Sequence, residues 1–341
     1  MKTAFLFPGQ GAQLVGMGAD FARSFRVADE VFRNANDILG FDLAKLCFEG
    51  PADELNTTTI SQPAIFATSA AILQVLKTTT ATKDLRPDVT AGLSLGEYTA
   101  LYAAGLLTFQ DALTLVYKRG QAMQAAADAT DGAMLSVMGL DNERIARLCA
   151  EARQGELLEP VNFNCPGQVV LSGTRASCRR AEQLAPKYDA IKAVPLAVAG
   201  AFHTEMMATA AESLGQALAG VQIADPNGVK IIANINAEYY DSSRAIAEGL
   251  TLQLTSPILW QSCMERLLAD GVEEFYEIGP GRVLTGLMRR IKRKAKVTNL
   301  STAEALNQFL QETRFEIRDA RYAASNARIM EDAECQRKDS Q

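Results

Sequence analysis

The stretch Val89-Thr90-Ala91-Gly92-Leu93-Ser94-Leu95-Gly96-Glu97-Tyr98-Thr99-Ala100 decides the fold. Pro87-Asp88 launches an apolar run, Val89 to Leu93, that reads as a buried strand, and Glu97 to Ala104 reads as a helix. The turn between them, Gly92-Leu93-Ser94-Leu95-Gly96, is a G-x-S-x-G pattern. Strand, sharp turn and helix in that order make it a nucleophile elbow. The pattern alone recurs by chance; the strand and helix on its correct sides carry the reading. Its glycines let the backbone turn tightly and keep the space around the serine clear. Ser94 thus stands at a helix N-terminus, where the amide of Leu95 can donate to a developing oxyanion.

Upstream of the elbow, Thr3–Phe7 reads as a buried strand ended by the loop Pro8 to Ala12, followed by helical stretches around Gly18–Leu39 and Ile65–Leu76. Downstream lies a helix from about Gln110 to Met123. Strands alternating with helices predict a parallel sheet covered on both faces. From Gly132 the order changes to strand Ala133–Leu140, helix Asn142–Ala152, strands Leu158–Asn164 and Gln168–Ser172, helix Ala176–Lys187 and strand Ala190–Leu196. That βαββαβ order is the ferredoxin-like unit. The body resumes with a strand Leu196–Ala199, a helix after His203, a strand Lys230–Ile235, a helical pair broken at Pro257 and a strand Glu274–Ile278. The expected fold class is α/β: a parallel-sheet, α/β-hydrolase-like large subdomain (1–129 and 197–305) with an inserted ferredoxin-like small subdomain (130–196) and a charged tail (306–341).

Composition bounds the function. The chain has 341 residues, 48% apolar and 22% charged, enough to bury a core without a disulfide or metal staple. Lys plus Arg, 34, against Asp plus Glu, 40, leaves a net charge of −6, which argues against broad nucleic-acid binding. The longest apolar stretches, such as Ala193 to Phe202, cover about half a membrane span, so no transmembrane helix is expected. Met1-Lys2 runs through a few apolar residues into Pro8-Gly9-Gln10-Gly11 without the long apolar core of a secretory signal. Six scattered cysteines (Cys47, Cys149, Cys165, Cys178, Cys263, Cys335) with no C-x-x-C pair then point to reduced thiols in a cytoplasm. One histidine, His203, rules out zinc sites built from several histidines, and no metal site is expected. If imidazole is the base, it is His203.

His203 falls at a strand end and opens the helix Glu205–Leu218, where α/β proteins place their chemistry. No Asp partner emerges, since Asp131, Asp141 and Asp189 fall in or at the edges of the insert, but a backbone carbonyl can also hold a base. Arg119 shares the apolar face of its helix with Ala112, Leu115, Val116, Ala122 and Met123. The pattern leaves two readings open: a side chain that snorkels to water, or a guanidinium in a pocket awaiting a carboxylate. The loop Pro8-Gly9-Gln10-Gly11-Ala12-Gln13 lacks the Lys-Ser/Thr of a phosphate-cradling loop and by itself is a tight turn. Beside the elbow, its amides can form the second half of an oxyanion hole.

Taken together, Phe7-Pro8-Gly9-Gln10-Gly11-Ala12-Gln13, Gly92-Leu93-Ser94-Leu95-Gly96-Glu97, Arg119, Asn162-Phe163-Asn164-Cys165-Pro166-Gly167-Gln168 and Ala201-Phe202-His203 resemble the malonyl-CoA:acyl carrier protein transacylase family over roughly Met1 to Ala305. The resemblance implies that Ser94 is acylated, that His203 is its base and that Arg119 grips the malonyl carboxylate. It also implies that the backbone amides of Gln10 and Leu95 hold the oxyanion and that the backbone carbonyl of Gln253 orients the histidine. Asn162 and Phe202 fall in motifs of the substrate pocket, Phe202 in the malonyl-selecting version of its motif. The chain departs from the family at Leu93, where histidine is usual; none of these roles requires that histidine.

The expected activity is two-step acyl transfer from malonyl-CoA to the phosphopantetheine thiol of acyl carrier protein, with no bound cofactor, by a cytoplasmic monomer that engages neither nucleic acid nor membrane. A serine acyl hydrolase or thioesterase is the alternative enzyme; it predicts an acid partner for His203 and a neutral acyl pocket, so Arg119 counts against it. A non-catalytic carrier-protein docking subunit is the third reading. The family's carrier partner is acidic, and Arg289-Arg290-Ile291-Lys292-Arg293-Lys294-Ala295-Lys296 is the densest basic run, although cations at a helix end are also ordinary solvated surface. Lys187 and Lys192 are rival contacts.

Overall fold

The computed structural model describes residues 1–312. Among the described residues, nine strands fall into two sheets. The larger has the order β7-β2-β1-β8-β9, built from β1 (Lys2–Phe7), β2 (Val89–Gly92), β7 (Lys230–Ile231), β8 (Val272–Ile278) and β9 (Lys296–Leu300). Every pairing in it is parallel. Alternation along β1 shows why it is buried on both sides. Ala4 and Leu6 face one apolar cluster with Trp260 and Leu284, while Phe5 and Phe7 face the other with Phe66 and Leu95.

The smaller sheet is antiparallel throughout, order β4-β5-β3-β6, from β3 (Gly132–Met138), β4 (Leu158–Cys165), β5 (Gln168–Thr174) and β6 (Lys192–Pro195). Helices Asn142–Arg153 and Arg175–Leu184 complete the βαββαβ order and share one apolar cluster with it. Side chains cap both helix starts: Asp141 accepts from the Arg144 amide at 2.8 Å and Thr174 from the Ser177 amide at 3.1 Å.

Several expected elements need correction. Leu196–Ala199 is not a strand. The Leu196 amide still bonds Met134, but the chain then turns away, and Gly200 packs so tightly on Ala127 that an added Cβ would lie 2.6 Å from the Ala127 Cβ. The helix expected over Gly18–Leu39 breaks at Phe25, which is extended (φ −136°), into Ala19–Ser24 and Arg26–Leu39. Helix Ile65–Leu76 runs from Thr58 to Thr78, with Pro63 inside. Its 21 residues are long and apolar enough to cross a membrane, but 83% of its most apolar window is buried inside the protein, where it serves as a core helix.

Packing also runs past residue 305. Residues 303–312 are helical, Leu306 and Leu310 join the main core, and the Phe309 ring meets Tyr276 edge-on at 5.5 Å. A chain cut after Ala305 is therefore expected to melt well below one cut after Glu312, because losing two buried leucines costs about 2–5 kcal/mol each. Thermal denaturation of the two variants side by side checks this; equal melting temperatures would show that the last helix adds no stability.

Candidate active site

The elbow is locally forced. Ser94 has φ +52°, a conformation uncommon for a residue with a side chain. A Cβ on Gly92 would lie 1.8 Å from the Gly96 carbonyl carbon, and one on Gly96 would lie 2.2 Å from the Phe7 oxygen. Gly9 closes from the other side, since a Cβ there would lie 2.3 Å from the Leu93 oxygen. The first loop and the elbow are thus pressed together. Among the described residues, neither the Gln10 nor the Leu95 amide has an acceptor, so both donors remain for a ligand.

Helix Gly96–Ala103, the loop before Glu205, helix Phe109–Asp128 and helix Ser243–Gln253 each bring one group to Ser94. Ser94 Oγ lies 3.0 Å from His203 Nε2, and His203 Nδ1 lies 2.7 Å from the Gln253 carbonyl. A carbonyl can only accept, so Nδ1 carries the proton and Nε2 presents its lone pair to the serine hydroxyl. Arg119 Nη2 donates to Ser94 Oγ at 2.9 Å and to Gln253 Oε1 at 3.0 Å, while Nη1 donates to Gln62 Oε1 at 2.8 Å. Arg119 is only 1% exposed, so it does not snorkel. Its Nε has no acceptor, and among the described residues no carboxylate lies within ion-pair distance. The Tyr98 ring centroid lies 5.6 Å from the guanidinium carbon.

Three further residues, unassigned by the sequence, complete the network. Asn234 Oδ1 accepts from the Ser94 amide at 2.6 Å and its Nδ2 donates to the Gly92 carbonyl at 2.8 Å, pinning the elbow. Gln62 holds Arg119. Glu97, 1% exposed, accepts from Gln253 Nε2 at 2.8 Å, from the Asn234 amide at 3.2 Å and from the Tyr240 hydroxyl. Of the sequence candidates, Ser94, His203, Arg119 and Gln253 meet directly. Gln10 and Leu95 flank them, with Gln10 Nε2 3.4 Å from the Thr58 hydroxyl. Phe202 is buried next to His203, its carbonyl accepting from Ser172 at 2.8 Å. Asn162 sits where β4 bridges Ile258, its Oδ1 buried without a partner, and no hydrogen bond ties it to the cluster.

Burial and the neighbouring Arg119 charge push the His203 pKa down from the usual 6.5 to about 4, against the raising effect of the Gln253 carbonyl. The imidazole is thus neutral, and able to accept a proton, throughout the mildly acidic and neutral range. A depressed imidazole pKa also destabilises the fold in acid. Between about 6.5 and about 4 the unfolded chain binds a proton that the native state refuses, so stability falls as pH falls through that window, by about 3 kcal/mol in all. Melting curves across it are expected to flatten in His203→Ala; an unchanged slope would assign the acid lability to other groups. Burial acts oppositely on Glu97, lifting its carboxyl from 4.5 to about 7 despite its three donors and Arg119. That cost is absent below about 4.5 and fully present above about 7.

An acyl transferase domain model matches residues 4–332. The malonyl CoA-acyl carrier protein transacylase of Haemophilus influenzae is 43% identical over 312 residues, 91% of this chain and 99% of that protein. The chain belongs to the malonyl-CoA:acyl carrier protein transacylase family of acyl transferases. The Bacillus subtilis transacylase is 41% identical, with coverage of 91% and 96%. Among solved structures, an acyl carrier protein S-malonyltransferase from Vibrio cholerae superposes with a TM-score of 0.84 at 41% identity, covering 91% of this chain and all (100%) of that one. A malonyl-transacylase solved with its type II PKS acyl-carrier protein gives 0.86 at 40% identity, covering 92% and 100%. In these acyl transferases the same α/β framework, a parallel sheet with a separate antiparallel one, recurs.

Proposed function

We propose that this acyl transferase moves a malonyl group from malonyl-CoA to the phosphopantetheine thiol of an acyl carrier protein through a malonyl-Ser94 ester, serving fatty-acid or polyketide synthesis. The observation that carries the reading is the buried Arg119 guanidinium, bonded to the nucleophile and, among the described residues, lacking any carboxylate partner. A buried cation without an anion is costly, and a substrate carboxylate supplies what the fold withholds.

In the first step the Ser94 hydroxyl proton passes to His203 Nε2 as Oγ attacks the thioester carbonyl. The Gln10 and Leu95 amides receive the oxyanion, and collapse expels the CoA sulfur, which takes the proton back from His203. In the second step the carrier thiol gives its proton to His203 and attacks the ester, and Ser94 Oγ leaves with that proton. Asn162 and Phe202 are assigned to the substrate pocket. No step calls for a bound cofactor, and one chain supplies every group, which supports a monomer. Residues 1–129 and 197–305, continued to Leu310, form the catalytic unit with 130–196 as the insert. The buried, unpaired thiols of the described cysteines suit a cytoplasmic enzyme. In the basic run, Arg290 donates to Gln168 Oε1 and the Pro166 carbonyl and Lys296 pairs with Glu274, so Arg289, Lys292, Arg293 and Lys294 are the groups offered to the carrier.

The test supplies malonyl-CoA and phosphopantetheinylated carrier protein and follows malonyl-carrier by mass. Transfer that vanishes with carrier lacking the phosphopantetheine arm supports the reading. Release of free malonate with no loaded carrier would make the protein a hydrolase.

A further inference from the structure

Glu97 is a buried carboxylate for which the proton path above has no use. It sits three residues after the nucleophile and, among the described residues, pairs with no cation. Among the described residues, its two oxygens take donors only from Tyr240, Gln253 and Asn234. The groups around it are neutral: burial raises the pKa of the Tyr98, Tyr240 and Cys263 side chains, and Arg119 is the charge it feels. A fold needing only three accepted hydrogen bonds has no reason to bury an anion here, so the charge itself calls for an account.

Gln253 supplies it. An ionised carboxylate only accepts, so the Gln253 amide must turn its NH2 toward Glu97 and its oxygen toward Arg119. The same NH2 also donates to the Ser94 carbonyl at 3.2 Å, and the Gln253 backbone oxygen holds His203. Guanidinium, amide and carboxylate thus stand in line, with Glu97 as the counter-charge one residue behind the base. When His203 takes the serine proton, a second cation forms beside Arg119. A Ser-His pair with an acid on Nδ1 stabilises that imidazolium directly. Here a neutral carbonyl occupies Nδ1.

Resting on the acyl transfer proposed above, we infer that Glu97 is a positioning residue of the reaction: it fixes the Gln253 side-chain amide that holds Arg119, on the residue whose backbone carbonyl holds His203, and its negative charge favours the imidazolium formed on acylation. An interaction that strengthens only as the proton moves lowers kcat and leaves KM in place when lost.

The experiment compares single-turnover acylation and steady-state malonyl transfer in wild type, E97Q and Y240F at pH 8, with melting curves. The amide in E97Q still accepts from Gln253 and Asn234, so the fold keeps its bonds and sheds the buried charge. The expected result is a kcat lower by about tenfold or more, a malonyl-CoA KM within about threefold and a melting temperature no lower than wild type. Y240F, which removes one donor to the carboxylate and leaves residue 97 unchanged, is expected to lose kcat in the same direction by less, and carries the test if E97Q does not fold. A folded E97Q with wild-type kcat, or a loss carried by KM alone, overturns the inference; so does wild-type kcat in Y240F where E97Q does not fold. If wild type itself does not acylate, the proposed function has failed instead.

Discussion

Arg119→Ala is expected to lose malonyl transfer by roughly 100-fold to several thousand-fold while keeping, or gaining, acetyl transfer from acetyl-CoA. Malonyl and acetyl thioesters differ by one carboxylate, so discrimination must come from a group that gains only from the charged substrate. Arg119 meets that need twice. It pairs with the carboxylate, and with acetyl bound it stays desolvated with Nε unsatisfied. Breaking a buried pair of this kind costs about 3–5 kcal/mol, which sets the expected factor. Lysine at this position is expected to recover only part of the malonyl activity, because a point charge cannot satisfy Gln62, Gln253 and a carboxylate from one planar fork. The measurement is kcat/KM for both thioesters in wild type and variant. Equal losses for the two would make Arg119 structural.

His203→Ala is expected to slow acylation by roughly 100-fold to 10,000-fold, the share a positioned general base contributes. Among the described residues the geometry leaves no substitute, since the other group bonded to Ser94 Oγ is a guanidinium that cannot accept a proton. The loss should therefore appear in the single-turnover rate. An unchanged rate by stopped flow would mean that another group takes the proton.

How much of this was legible in the sequence follows from how local each signal is. The elbow, the βαββαβ insert and the lone histidine lie in short, patterned stretches, so spacing alone located them. Arg119 was legible as an arginine on an apolar helix face, but not as a pocket residue, because periodicity cannot tell a buried guanidinium from a snorkelling one. Asn234 was invisible: it reaches Ser94 across 140 positions from a stretch that reads as the strand Lys230–Ile235. That strand ends at Ile231 because the Asn234 side chain takes the elbow's backbone groups instead. Glu97 was in view within the motif and carried no role. An acid in a first helical turn ordinarily faces water and the helix dipole; only the packing of Tyr240 and Gln253 turns it inward. The charge of the last helix hides Leu306 and Leu310, which lie four residues apart on one helix face and are both buried.

Intact mass of the protein after brief mixing with malonyl-CoA tests the central claim most directly. The wild-type chain is expected to gain one malonyl group, about 86 Da by the elementary chemistry of ester formation, and to lose it when phosphopantetheinylated carrier protein is added. Ser94→Ala is expected to gain nothing while its circular dichroism stays that of wild type. A malonyl adduct on the Ser94→Ala variant, or none on the wild type, would contradict the account.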